Sequence, residues 1–283
     1  MNSYLRKLLF RYTDTSPTAA TILMMLEGLE SPGSPIPFDH IAFRTYGMEG
    51  QGIASLASFL ETFGYADAGD ELAFPNKKLR ARWMRKPGMP RVFLSEIKVE
   101  ELSEGAQAII QRYAGAMGAL AGAHAGMCSA TGMLPWAHPT LHEYEDLAGE
   151  SEYAAWVLVN GYTLNHMTVA VHRLQGFNRG GIRALNEELK RRGFELNQQG
   201  SELKVSPDGG LLQSSTVADS VLFRFADGEE QLVPGTYIEF AERAPLLQFA
   251  HVPAAELQEV QRRDGASSRV ASTWKTAGLP DAR

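Results

Sequence analysis

Apolar and polar residues along the chain fall into a pattern that occurs twice. In the first occurrence, Phe38-Asp39-His40-Ile41-Ala42-Phe43-Arg44 alternates with the period of two that a strand requires. From Gly50 to Phe63 the period lengthens: Ile53, Leu56, Leu60 and Phe63 recur at three and four residues, so a helix carries one apolar stripe toward a sheet. Three short strand-like runs follow, Glu71 to Phe74, Leu79 to Met84 and Val92 to Val99, separated by turn residues at Asn76-Lys77 and Pro87-Gly88-Met89-Pro90. The second occurrence opens at Leu164 to His172 and continues as a helix from about Arg179 to Arg192, stopped by Gly193. Strands then fit Glu202 to Val205, Leu211 to Val217, Val221 to Phe225 and Tyr237 to Ala241, with turns at Asp208-Gly209-Gly210 and Asp227-Gly228.

Between the copies, Leu102 to Tyr153 is rich in Ala, Gly and His and predicts two or three helices packed as an insertion. The N-terminal Met-Asn-Ser-Tyr-Leu-Arg-Lys-Leu-Leu-Phe-Arg-Tyr predicts a short amphipathic helix, with no apolar run long enough for a signal segment or a membrane span. The expected architecture is a single α+β domain over residues 1–283, with module one at about 36–100, a helical insertion at about 101–160 and module two at about 161–250. A repeated strand-helix-strand-strand-strand unit resembles the vicinal-oxygen-chelate fold, in which two such βαβββ modules pair into a curled sheet around one metal.

Composition narrows the partners. A hydrophobic content of 44% with 21% charged residues is that of a globular chain, and a formal net charge of -6 disfavours nucleic acid or an anionic membrane as the main partner. A small molecule is the expected ligand. The lone cysteine, Cys128, excludes an internal disulfide and any Cys-rich metal site, and reads as a small buried residue. Cytoplasm is the compartment these features predict. They say nothing of oligomeric state.

The chemistry sits in the repeats. Residues two apart on a strand share a face, so His40, Ala42 and Arg44 point one way, as do His166 and Thr168, while Glu239 lies between Ile238 and Phe240 on the opposite face. A single His in an apolar strand is usually structural, but here two histidines open the two copies and a glutamate sits in the last strand of the second. His40, His166 and Glu239 therefore form the expected metal triad. Two imidazoles and one carboxylate leave open positions on an octahedral ion, as Fe(II) oxygen chemistry demands, although zinc accepts the same donors in tetrahedral geometry. Glu96, in the matching strand of the first copy, is the rival or fourth ligand, and would make the site glyoxalase-like. His124, His138, His142, His172 and His251 lack symmetric placement and read as structural or surface groups. Arg44, about 7 Å along the strand from Ala42, can fork onto the carboxylate of a bound acid. Gln213, Ser214 and Ser215 place polar groups in an apolar sheet, as a pocket lining or an exposed face.

Four stretches together resemble the 2-oxoadipate dioxygenase/decarboxylase family: Phe38-Asp39-His40-Ile41-Ala42-Phe43-Arg44, Leu164-Asn165-His166-Met167-Thr168, Leu211-Leu212-Gln213-Ser214-Ser215-Thr216 and Tyr237-Ile238-Glu239-Phe240-Ala241-Glu242-Arg243. The resemblance runs from about Tyr4 to Asp264. It implies an Fe(II) enzyme of lysine catabolism that takes 2-oxoadipate and O₂ to D-2-hydroxyglutarate and CO₂, by oxidative decarboxylation followed by hydroxylation of the shortened chain. It also implies His40, His166 and Glu239 as metal ligands, Arg44 as the clamp on a substrate carboxylate and Gln213 as a polar pocket residue. A dicarboxylate with a 2-oxo group can chelate a metal at one end and meet a guanidinium at the other. The tail departs from the family pattern, since Arg263-Asp264-Gly265 runs into Ala266-Ser267-Ser268-Arg269-Val270. Two other classes share the fold: a glyoxalase-like isomerase or lyase using Zn²⁺ or Ni²⁺, and a binding module without catalysis.

Overall fold

The computed structural model describes residues 3–69, 71–115, 122–177, 179–206 and 209–243. Two helices lead the chain, α1 (Ser3–Thr15) and α2 (Pro17–Glu27), where the apolar pattern predicted only the first. The second is a helix on the strength of Pro17 at its first turn and of Ala19, Ile22, Leu23 and Leu26, all buried. Module one follows as β1 (Phe38–Tyr46), α3 (Gly52–Glu61), β2 (Ala66–Asp67), β3 (Leu72–Phe74), β4 (Leu79–Arg85) and β5 (Arg91–Ile97). The connecting stretch forms α4 (Glu104–Tyr113), α5 (Gly122–Thr131), α6 (Leu141–Glu150) and α7 (Glu152–Asn160), more helices than expected because Ser151 breaks the last pair and caps α7. Then come β6 (Leu164–Ala170), α8 (Gly181–Arg191), β7 (Lys204–Val205), β8 (Leu211–Ser215), β9 (Ser220–Arg224), β10 (Glu230–Pro234) and β11 (Tyr237–Arg243).

One sheet runs through both copies in the order β2-β4-β5-β1-β6-β11-β8-β7, with β3 also on β4. At its centre β1 and β6 are antiparallel, opposing Ala42 to His166 and His40 to Thr168. Each has a parallel neighbour from its own copy, β5 beside β1 and β11 beside β6, so the sheet is internally two-fold. One expected strand lies elsewhere: Val221 to Phe225 pairs only with β10, in a separate hairpin. Its alternation is real, but Phe223 and Phe225 pack against His138 and Tyr144 of the connecting stretch rather than on the sheet.

Helices α3 and α8 pack against one face of the sheet. Ile182, Leu185 and Leu189 of α8 are buried at three- and four-residue spacing, and Gly193 (φ +87°) supplies the left-handed residue after the helix. The starts of α3 and α8 are built alike. The Ile53 amide donates to Glu96 Oε2 at 2.7 Å and the Ile182 amide to Glu242 Oε2 at 2.6 Å, each carboxylate meeting a positive helix end. The preceding Gly52 (φ +71°) and Gly181 (φ +56°) lie so close that a Cβ there would meet these carboxylates at 2.3 and 2.2 Å.

Candidate metal and substrate site

The strand register brings the three expected ligands together. His40, His166 and Glu239 are all buried, and one donor atom from each lies within 4.8 Å of the others. Each histidine is oriented by the residue before it: His40 Nδ1 is 2.9 Å from Asp39 Oδ1 and His166 Nδ1 is 2.9 Å from Asn165 Oδ1. With each Nδ1–H donated backwards, each Nε2 lone pair faces inward, the arrangement that presents imidazole to a metal. Burial, by itself, would raise the Asp39 carboxyl. Arg243, whose Nε and Nη2 lie 2.7 and 2.8 Å away, together with His40, instead holds it well below the usual carboxylate range.

The triad's own electrostatics call for a cation. His40 Nε2 and Glu239 Oε1 face one another at 3.5 Å, a lone pair against an anion. The Thr168 hydroxyl, 3.1 Å from the first and 3.3 Å from the second, has one proton and can satisfy only one of them. Gln213 Nε2 donates to the same Glu239 oxygen at 2.5 Å. Burial nevertheless pushes the Glu239 carboxyl up, against His40, Lys204, Thr168 and Gln213. Burial, and then the neighbouring His40 and Arg44, push His166 well below its ordinary value and keep it neutral. Its Nε2 is buried without a hydrogen-bond partner. A divalent ion answers all of these at once, and the residues present fit one.

A cavity of about 450 Å³ opens beside His166 and Glu239 and is lined by Arg44, Asn165, Gln213 and Lys204 among others. Arg44 Nη1 and Asn165 Nδ2 are, like His166 Nε2, buried without partners. The Arg44 guanidinium carbon lies 5.1 Å from the ring of Tyr153 and 5.2 Å from that of Trp156, both on α7, so the connecting helices set its position. Of the three adjacent polar residues on β8, Gln213 faces the site, whereas the Ser214 hydroxyl donates to Asn186 on α8. Asn165, Thr168, Lys204, Tyr153 and Trp156 were not singled out as site residues from the sequence; for Asn165 the signal was its place before His166, matching Asp39 before His40.

Glu96 is not a ligand. Both parallel pairings fix the equivalence: His40 opposes Arg91 while His166 opposes Tyr237, so the counterpart of Glu239 is Phe93, and Glu96 matches Glu242. Phe93 lines the cavity, while Glu96 caps α3 and accepts from Arg80 Nε at 2.5 Å on the other face. His138, bonded to the Arg224 carbonyl, and His142 are at the surface. His251, the departing tail at 263–270 and the last residues assigned to module two lie outside the described residues.

A curled sheet of two like halves around a two-histidine, one-carboxylate cluster that could hold a metal ion is a fold of the vicinal-oxygen-chelate kind. In keeping with it, a glyoxalase-superfamily protein from Ralstonia eutropha shares the fold, at 24% identity and TM-score 0.67 over 83% of this chain and 80% of that one. The chain belongs to the 2-oxoadipate dioxygenase/decarboxylase family, whose model matches residues 6–281. An Arabidopsis thaliana protein named 2-oxoadipate dioxygenase/decarboxylase, chloroplastic, is 47% identical over 267 residues, 90% of this chain and 71% of its own. The crystal structure of the Oryza sativa hydroxyglutarate synthase in complex with 2-oxoadipate is similar at TM-score 0.85 and 44% identity, covering 96% of this chain and 91% of that one. The plant relative's chloroplastic name overturns the expectation of a cytoplasmic protein: composition and a single cysteine report a reducing setting, which more than one compartment provides. Among the described residues no helix is long and apolar enough to cross a membrane.

Proposed function

We propose that the chain is an Fe(II)-dependent 2-oxoadipate dioxygenase/decarboxylase that converts 2-oxoadipate and O₂ to D-2-hydroxyglutarate and CO₂. The observation that carries this reading is the set of unpartnered buried atoms, Arg44 Nη1, Asn165 Nδ2 and His166 Nε2, on residues that line one cavity. Groups this costly to bury alone are expected to meet a ligand. The family and the similarity to a hydroxyglutarate synthase holding 2-oxoadipate support the choice of substrate.

His40, His166 and Glu239 would hold the metal, which when bound supplies the redox chemistry between the oxo acid and O₂. The remaining work falls to the protein. Asp39 and Asn165 keep each imidazole in the tautomer that presents Nε2. Gln213 and Thr168 hold Glu239 by one oxygen, so the carboxylate cannot swing away. Arg44, fixed by Tyr153 and Trp156, takes the substrate carboxylate remote from the metal. Phe93, where a fourth ligand would stand in a glyoxalase-like site, leaves room for a chelating acid and shields it from water.

The test is reconstitution of metal-free protein under anaerobic conditions with Fe(II), Zn²⁺ or Ni²⁺, followed by oxygen and 2-oxoadipate. Oxygen uptake and 2-hydroxyglutarate formation with Fe(II) alone support the reading. Turnover with zinc or nickel but no oxygen uptake would establish an isomerase or lyase instead.

A further inference from the structure

The cavity contains a second cation that the site chemistry above does not use. Lys204, on the short strand β7, lines it together with Glu239, Gln213 and Arg44. Its position follows from register. Lys204 opposes Gln213, and Gln213 opposes Ala241, two residues along β11 from Glu239, so Lys204, Gln213 and Glu239 share one face of the sheet. Lys204 lies two strand spacings, roughly 10 Å, from β11, a gap that a lysine side chain on one side and a short acid on the other can bridge.

Among the described residues this lysine, like Arg44, is matched to no acid. Two other part-buried basic groups on the sheet are matched to acids, Arg243 with Asp39 and Arg80 with Glu96. Lys204 is partly buried, and among the described residues it makes no hydrogen bond or ion pair. Burial pulls its ammonium below the ordinary lysine value, against the attraction of Glu239. An ammonium held in a largely apolar cavity without an anion is a cost that a bound anion removes.

Charge counting says which anion. A divalent ion, the Glu239 carboxylate and the chelating carboxylate of a 2-oxo acid cancel. Two fixed cations remain, Arg44 from the first half of the sheet and Lys204 from the far end of the second, and one carboxylate is left over in a dicarboxylic substrate. We infer that Lys204 is a specificity-determining residue, gripping with Arg44 the carboxylate that does not chelate the metal and so selecting 2-oxo dicarboxylic over 2-oxo monocarboxylic acids. The inference rests on the proposed function and deepens it.

The test uses the metal-loaded, oxygen-free protein and calorimetric binding, so it does not depend on turnover. The probes are 2-oxoadipate and 2-oxohexanoate, which differ only in the far carboxylate. With Lys204→Met, binding of 2-oxoadipate is expected to fall at least about tenfold while 2-oxohexanoate binding stays within about twofold, and Lys204→Arg is expected to recover most of the loss. These fold-changes correspond to breaking one charge-assisted contact. Equal losses for both acids in Lys204→Met would mark a structural lysine, and no loss for either would mark a bystander; each overturns the inference while the proposed function stands. If the wild-type protein binds neither acid, the proposed function fails first and the inference with it.

Discussion

Two glutamates separated by the repeat's symmetry illustrate how a residue's neighbours decide its work. Glu239 is buried with donors from Gln213 and Thr168 but no fixed cation at hydrogen-bond range, so it needs the metal. Glu96 is held by the Ile53 amide and Arg80, and needs nothing more. Glu239→Gln is therefore expected to abolish metal binding while leaving the metal-free protein at least as stable as wild type. Glu96→Gln is expected to keep the metal site and to destabilise by about 1–2 kcal/mol, the usual worth of a helix cap with its charge. Denaturant midpoints and metal titrations on the two variants check this, and the reverse assignment would exchange the outcomes. A second expectation concerns orientation: Asp39→Asn removes the anion that fixes His40 and unpairs Arg243, and metal affinity should fall by about 10–100-fold. An unchanged metal titration would contradict it. The triad was legible in the sequence because two histidines open the two copies and a glutamate lies in the last strand of the second. Lys204 was not, since a lysine on a two-residue edge strand carries no signal until the sheet curls it over the cavity.

At the level of elements, the two-fold sheet explains both what the pattern revealed and what it concealed. The runs opening at Phe38 and Leu164 became β1 and β6, and their helices became α3 and α8, because local alternation and amphipathic spacing suffice for those. Which strand neighbours which was not readable, since β9 alternates like a sheet strand but its partner is β10 and its packing is against the connecting helices. Nor does strand matching alone give register: placing Glu96 with Glu239 is a three-residue error, and an odd shift moves a side chain to the other face. Phe93→Glu follows directly, since it adds a second carboxylate, and so a fourth protein ligand, at the position matching Glu239. That variant is expected to bind metal at least as tightly as wild type and to lose oxygen uptake with 2-oxoadipate, because the added ligand fills a position the substrate needs. Retained oxygen uptake would show that Phe93 does not border the ligand's place. From α7, Tyr153 and Trp156 reach back to Arg44, so the helical stretch between the copies is part of the site as well as of the core.

For the molecule as a whole, the metal would tie the two halves of one sheet, with His40 from the first and His166 and Glu239 from the second. Metal present at 100 times its dissociation constant should add about 2.7 kcal/mol of stability, read as a raised Tm that a chelator reverses. A Tm indifferent to chelation would mean the donors do not bind an ion in the folded chain. In the proposed reaction one oxo acid is both oxidised and hydroxylated in the same cavity, with no second oxo acid consumed. The decisive experiment turns over 2-oxoadipate with Fe(II)-loaded protein under isotopically labelled dioxygen and analyses the product by mass spectrometry. One mole of O₂ and one of 2-oxoadipate are expected to be consumed per mole of CO₂, with 2-hydroxyglutarate carrying both labelled oxygens, one in its new carboxylate and one in its hydroxyl. Product without label, or label in the carboxylate alone beside unhydroxylated glutarate, would contradict it.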